Sequence, residues 1–231
     1  MIAITFALPA ESSDLVRRLR NKARSKDTSA VSGRLGEQAV HILHTGVGEA
    51  MARTRLNEYL ENNSPSFLIS SGFAGATQDD YRLGDLILAR NFSDPTLLLK
   101  AESILREQNV RSGVGWTATE IINSPEEREQ IWNQHQAVAI DMESNAIVEV
   151  CATHNLPMLS LRAVSDTPRD PLRIPGNVLF DVSRQRTPIL RLVAYLGAHP
   201  SAVPKLIRFS GQIARVRRGL TDAIVKVIEA I

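Results

Sequence analysis

The chain has 231 residues, 43% hydrophobic and 23% charged, with a formal net charge of +2. This composition excludes an intrinsically disordered chain and allows one domain with a sizeable core. The single cysteine, Cys151, excludes an internal disulfide framework; with no basic leader and no run near ~20 apolar residues, a cytoplasmic protein is expected.

Ile2–Leu8 reads as a buried strand, and Pro9 stands where a first-turn proline opens a helix that runs through Leu19. Asn21–Ser32 is polar and reads as a loop or hairpin margin. Ala39–His44 alternates as a strand into the turn Thr45-Gly46-Val47-Gly48, and a helix follows from Glu49 to about Asn62. Ser66–Ser71 is a second short buried strand, closed by Gly72-Phe73-Ala74-Gly75-Ala76. Leu83-Gly84-Asp85 introduces the strand Leu86–Ala89. Pro95–Gln108 reads as helical, Val110–Thr117 as extended and Pro125–Gln134 as a capped helix. The strand Val138–Ile140 leads into a helix over Asp141–His154, and the strand Met158–Val164 ends at Ser165-Asp166-Thr167. Helices over Arg186–Leu196 and Ala202–Ile231 complete the chain. Strands alternating with helices predict an α/β fold with a mostly parallel or mixed sheet. No internal repeat or low-complexity linker divides it, so residues 1–231 are read as one domain.

In such sheets ligands bind beyond the carboxyl ends of the strands. Glu11, Thr45–Gly48, Gly72–Gly75, Asp141–Glu143 and Ser165–Asp166 all fall at those ends. Each carboxylate has an ordinary structural explanation as a helix-start or turn residue. Three at one sheet edge point beyond it. Competing motifs fail on their spacing. Gly46-Val47-Gly48 lacks the third glycine of a dinucleotide fingerprint, where Met51 stands. His41 and His44 lie three apart on a strand and face opposite sides. No P-loop, GxSxG or paired-cysteine motif is present. Neither metal nor cofactor is expected.

Ala139-Ile140-Asp141-Met142-Glu143-Ser144 followed by Leu161-Arg162-Ala163-Val164-Ser165-Asp166 resembles the paired signature of the nucleoside phosphorylase/nucleosidase superfamily. Ser71-Gly72-Phe73-Ala74-Gly75, Leu83-Gly84-Asp85 and Thr45-Gly46-Val47-Gly48 resemble its glycine-rich segments, in order along the chain. Two branches compete. A glutamate at the place of Glu11 resembles the methylthioadenosine/S-adenosylhomocysteine nucleosidases. The second half, including the tail HPSAVPKLIRFSGQIARVRRGL, resembles the hopanoid-associated phosphorylases, which act on adenosylhopane.

The resemblance implies a three-layer α/β/α fold around a central mixed sheet, with a C-terminal helical extension. It also implies cleavage of the base–ribose bond of a purine nucleoside, adenine before others. Glu11 would activate water and Asp166 would protonate or hydrogen-bond the purine at N7. Met142 and Glu143 would hold the ribose. Arg162, Gly72 and Phe73 would lie on the nucleophile side, and Ala74, Gly75, Ile121 and Ser165 at the base. Ser70 and Phe73 depart from the arginine and serine of the hexameric phosphorylases, and an ionised Glu11 would repel phosphate, so hydrolysis is favoured over phosphorolysis. Phosphate is the alternative co-substrate. A non-catalytic nucleoside-binding protein is the rival class. A homo-oligomer is implied as well.

Residues 200–231 form a basic amphipathic helix. From Lys205 onward six basic residues stand against two acidic ones. Leu206, Phe209, Ile213, Val216, Leu220, Ile224, Val227 and Ile231 recur on one helical face. That stripe packs on the protein body or a neighbouring subunit, or it rests on a membrane surface beside a lipid nucleoside. Nucleic acid is not an expected partner, since Phe209 is the tail's one aromatic.

Overall fold

In the computed structural model the described residues are 1–24, 30–108, 110–171 and 202–231, with side chains in the last range described from Ser210 onward. The strands are β1 (Ile2–Phe6), β2 (Arg20–Arg24), β3 (Ala30–Leu35), β4 (Gln38–His44), β5 (Leu68–Ala76), β6 (Leu86–Ala89), β7 (Val110–Thr117), β8 (Ala137–Asp141) and β9 (Met158–Asp166). The helices are α1 (Pro9–Arg18), α2 (Glu49–Glu61), α3 (Pro95–Ile104), α4 (Pro125–His135), α5 (Ser144–Thr153) and α6 (Ala202–Ala230).

One mixed sheet runs β2-β3-β4-β1-β5-β8-β7-β6-β9, with β5 also paired to β9. The extra pairing closes β5, β8, β7, β6 and β9 on themselves, helped by a bulge between Ala74 and Gly75. Strand periodicity then sorts the core into layers. Ile2, Ile4 and Phe6 face a cluster built with Leu15 of α1, Leu97 of α3 and Leu220 of α6. Ala3 faces the other side, where Leu56 and Tyr59 of α2 meet Ile147 and Val150 of α5.

Several boundaries move. The polar stretch Asn21–Ser32 contains most of β2 and the start of β3: an exposed edge strand needs no apolar face, so its pattern is silent. The glycine-rich run Gly72–Ala76 is strand, because β5 continues between β8 and β9. The helix expected from Asp141 starts at Ser144, since Asp141 is still paired to Thr117 in the sheet. Likewise β9 extends through Asp166, opposite Gly75. The helix from Pro95 ends at Ile104, and a single 3-10 turn covers Arg106–Gln108. The helix expected over Arg186–Leu196 lies outside the described residues.

The apolar stripe of α6 meets the body. Val216, Leu220, Ile224 and Val227 are buried, and Arg217 is paired to Asp14 of α1 at 2.7 Å. Arg215, Arg218 and Lys226 stay exposed on other faces. Among the described residues no helix is long and apolar enough to cross a membrane.

Candidate active site

A cleft of about 200 Å³ opens at the carboxyl ends of β1, β5, β8 and β9. Its walls carry Glu11, Phe73, Ala74, Gly75, Ile121, Met142, Glu143, Ser165 and Asp166. Nine of the eleven site residues expected from sequence therefore meet in one place. Gly72 and Arg162 are not among the lining residues and act from behind it.

Glu11 is placed by the way its helix begins. Pro9 fixes the first turn of α1, and Glu11 reaches back so that Oε2 accepts the Leu8 N–H at 2.8 Å. Its other oxygen accepts the Phe73 N–H at 3.1 Å. Gly72 makes this second contact possible. At φ +150° a Cβ there would lie 3.0 Å from Glu11 Oε1, so a side chain would push the carboxylate away. Burial raises the Glu11 pKa above its ordinary 4.5, against the lowering effect of the Leu8 and Phe73 N–H groups and the Arg162 charge.

Glu143 sits at the N-cap of α5 and accepts the Gly48 N–H at 2.8 Å. Burial first, then the Asp141 and Glu11 charges, push its pKa up to about 8, while Gly48 and Arg162 oppose the shift. The folded state therefore holds a proton that the unfolded chain releases near 4.5, and stability is lost as pH rises from there through about 8. The melting temperature of the ligand-free protein is expected to fall across that window. Glu143→Gln is expected to flatten the dependence, and thermal melts of both proteins across the pH range check it.

Below these two acids lies a buried charge network. Arg162, 3% exposed, donates from Nε to Asp141 Oδ2 at 2.9 Å and from Nη2 to Ser70 and Ser144 hydroxyls, each at 2.9 Å. Asp141 also accepts the Glu143 and Ser144 N–H groups at 3.3 and 3.1 Å, which fixes the first turn of α5. Arg162 thus lies behind the nucleophile side of the cleft rather than in its lining, and from there its charge lowers the pKa values of Glu11 and Glu143. Its side chain is held under the floor by Asp141, Ser144 and Ser70, the last being the position that departs from the arginine of the hexameric phosphorylases.

At the far end Asp166 is aligned with Gly75 by the β5–β9 register. Its Oδ1 accepts the Ser165 hydroxyl at 2.7 Å, and its Oδ2 is paired with Arg128. Arg128 went unnoticed in the sequence because Pro125-Glu126-Glu127-Arg128-Glu129 reads as a solvated helix start. Only the fold shows it turned inward, 2% exposed. The two histidines of β4 do face opposite ways, His41 to Tyr59 at 3.0 Å and His44 to Ser12 at 2.8 Å. No group of three metal-ligand side chains occurs among the described residues.

Comparison with known proteins gives a consistent picture. A family model described as the phosphorylase superfamily matches residues 1–97 and 90–186. The 5′-methylthioadenosine/S-adenosylhomocysteine nucleosidase of Staphylococcus epidermidis is 27% identical over 196 residues, covering 72% of this chain and 86% of that protein. Among solved structures, the nucleosidase of the same name from S. pneumoniae, with a transition-state inhibitor, superposes with a TM-score of 0.75 at 20% identity, covering 99% of this chain and 98% of the other. Futalosine hydrolase of Helicobacter pylori gives 0.73 at 15% identity, covering 100% and 97%. At these identities the structures establish the shared mixed α/β fold.

Proposed function

The chain belongs to the phosphorylase superfamily, and we propose that it hydrolyses the N-glycosidic bond of a purine nucleoside carrying a 5′ substituent. The observation that carries this reading is the convergence of Glu11, Glu143 and Asp166 on one cleft. Cleaving the bond gives the ribose oxocarbenium character, so negative charge beneath the sugar lowers the barrier. Glu143 would take that place in its ionised form, which the positive charge developing on the sugar favours, accepting hydrogen bonds from the ribose hydroxyls over Met142. Asp166 would serve N7 of the departing base. Glu11, with one oxygen pinned by Leu8 and the other by Phe73, has lone pairs left for a water, and the burial that raises its pKa above the ordinary 4.5 makes it a stronger base than a free carboxylate.

Water is favoured over phosphate by what surrounds Glu11. Among the described lining residues the one guanidinium is Arg128, which is paired with Asp166 at the base end. A phosphate anion in contact with ionised Glu11 would meet repulsion of about 4 kcal/mol at an effective dielectric near 20. The names of the similar nucleosidases support the 5′-substituted nucleoside.

The exposed Arg215, Arg218 and Lys226 of α6 support a second reading, in which the substrate is a lipid nucleoside such as adenosylhopane at an anionic surface. With the α6 stripe buried between Val216 and Ile228, such contact would be mainly electrostatic. One panel separates the two. Base release is followed from 5′-methylthioadenosine, adenosine, inosine and vesicle-borne adenosylhopane. Release from a soluble nucleoside supports the main reading, release from the vesicle alone supports the second, and no release from any contradicts both.

A further inference from the structure

Arg128 changes what the base end of the cleft can recognise. Its Nε and Nη2 donate to the Ile122 carbonyl at 3.0 and 2.7 Å, and Nη1 donates to the Ala76 carbonyl at 2.9 Å. Nη2 also pairs with Asp166 Oδ2. Among the described residues these bonds engage four of the five guanidinium N–H groups. The last, on Nη1, belongs to a side chain that lines the cleft. Gly75 provides the room: a Cβ there would lie 3.0 Å from Asp166 Oδ2 and 3.1 and 3.2 Å from the two Arg128 Nη atoms.

The count of acceptors matters as much as the cation. The Ile122 carbonyl receives two N–H groups and so has both lone pairs occupied. The Ala76 carbonyl and both Asp166 oxygens each already receive a donor. Among the described residues the cation has thus filled the Ile122 carbonyl and taken one acceptor site each on Ala76 and Asp166, and it leaves one donor over. An amino group at purine C6 would bring two more donors to it. A carbonyl at C6 would bring the acceptor that is missing. As the glycosidic bond breaks, its electron pair stays with the base, and in a 6-oxopurine the charge spreads onto O6. A fixed guanidinium in a dry site stabilises that charge.

We propose that Arg128 is a base-recognition residue and that it sets this cleft for purine nucleosides with a carbonyl at C6, over 6-amino purines. The proposal rests on the nucleoside-cleaving reading of the site and departs from the adenine expected from sequence resemblance. It names hypoxanthine- and guanine-type bases as the leaving group.

The test compares kcat/KM for 5′-methylthioinosine and 5′-methylthioadenosine, together with calorimetric Kd values for hypoxanthine and adenine. Wild type, Arg128→Gln and Arg128→Lys are measured side by side. One well-placed hydrogen bond predicts a wild-type preference for the 6-oxo member of each pair of about tenfold or more. Arg128→Gln, whose amide can donate or accept, is expected to bring the ratio near unity, and Arg128→Lys to keep part of it. Equal or better use of the adenine substrate by wild type overturns this proposal and leaves the hydrolase reading standing. A preference unchanged in Arg128→Gln overturns it too. Cleavage of neither nucleoside with binding of neither base overturns both. The wild-type comparison decides the matter alone if the variants fail to fold.

Discussion

Replacing Glu11 by glutamine is expected to lower kcat by about 10²–10⁴, the range for loss of a positioned general base, with little change in KM. The two parameters separate because in the proposed reaction Glu11 meets the water, whereas Glu143, Met142 and Asp166 line other parts of the cleft and stay in place. A structural cost accompanies the catalytic one. The carboxylate accepts N–H groups on both oxygens, from Leu8 and from Phe73. An amide has one oxygen, so its NH₂ must face one of these donors. Loss of the capping bond costs about 0.5–2 kcal/mol. Steady-state kinetics beside a thermal melt distinguishes the two effects. A fall in kcat no larger than the stability change accounts for would remove Glu11 from the chemistry.

Arg162→Met is expected to produce the largest loss of stability. Arg162 and Asp141 form a pair with side chains 4% and 7% exposed, and removing one partner leaves a buried charge uncompensated. Such losses run to about 3–5 kcal/mol. Two features place this one near the lower end. Asp141 keeps the Ser144 and Thr117 hydroxyls and two backbone N–H groups, and among the described residues Arg162 Nη1 has no hydrogen-bond partner to lose. A loss of about 3 kcal/mol lowers Tm by roughly 6–12 °C in a protein of this size. The same change removes the positive charge that holds down the pKa values of Glu11 and Glu143. The alkaline movement of any activity profile in a folded Arg162→Met protein therefore reports the electrostatic part separately from the packing part.

These two residues also show what the sequence could and could not disclose. Glu11 was legible twice over, as an acid following a buried strand and as a match to a family pattern. Its capping contact with Leu8 and its contact with Phe73 together place the carboxylate at the cleft. Arg162 was legible as a residue near the site, but its direction was not. In a strand with both faces buried, nothing in Leu161-Arg162-Ala163 tells whether the guanidinium points into the cleft or under it. The bonds from Asp141, Ser70 and Ser144 decide that, and they come from three separate elements.

Arg128 lay beyond reach for a related reason. Local charge pattern describes a helix's solvent face well, and Glu126, Glu127 and Glu129 make α4 look solvated throughout. The partners that draw one of its residues inward, Ala76 and Asp166, are 52 and 38 residues away. The edge strand β2 failed on the same grounds, since exposed strands carry no alternation to read. The buried strands and the amphipathic α6 were readable because burial writes a period into the chain. The strand-end rule then brought the acids together before any coordinates were needed.

The hydrolytic claim is tested most directly by following base release and sugar product from a 5′-substituted purine nucleoside with and without inorganic phosphate. The arrangement around Glu11 predicts the same rate in both conditions and free sugar as the product. Release that requires phosphate and yields sugar 1-phosphate would contradict it, and would mean that Glu11 does not direct a water.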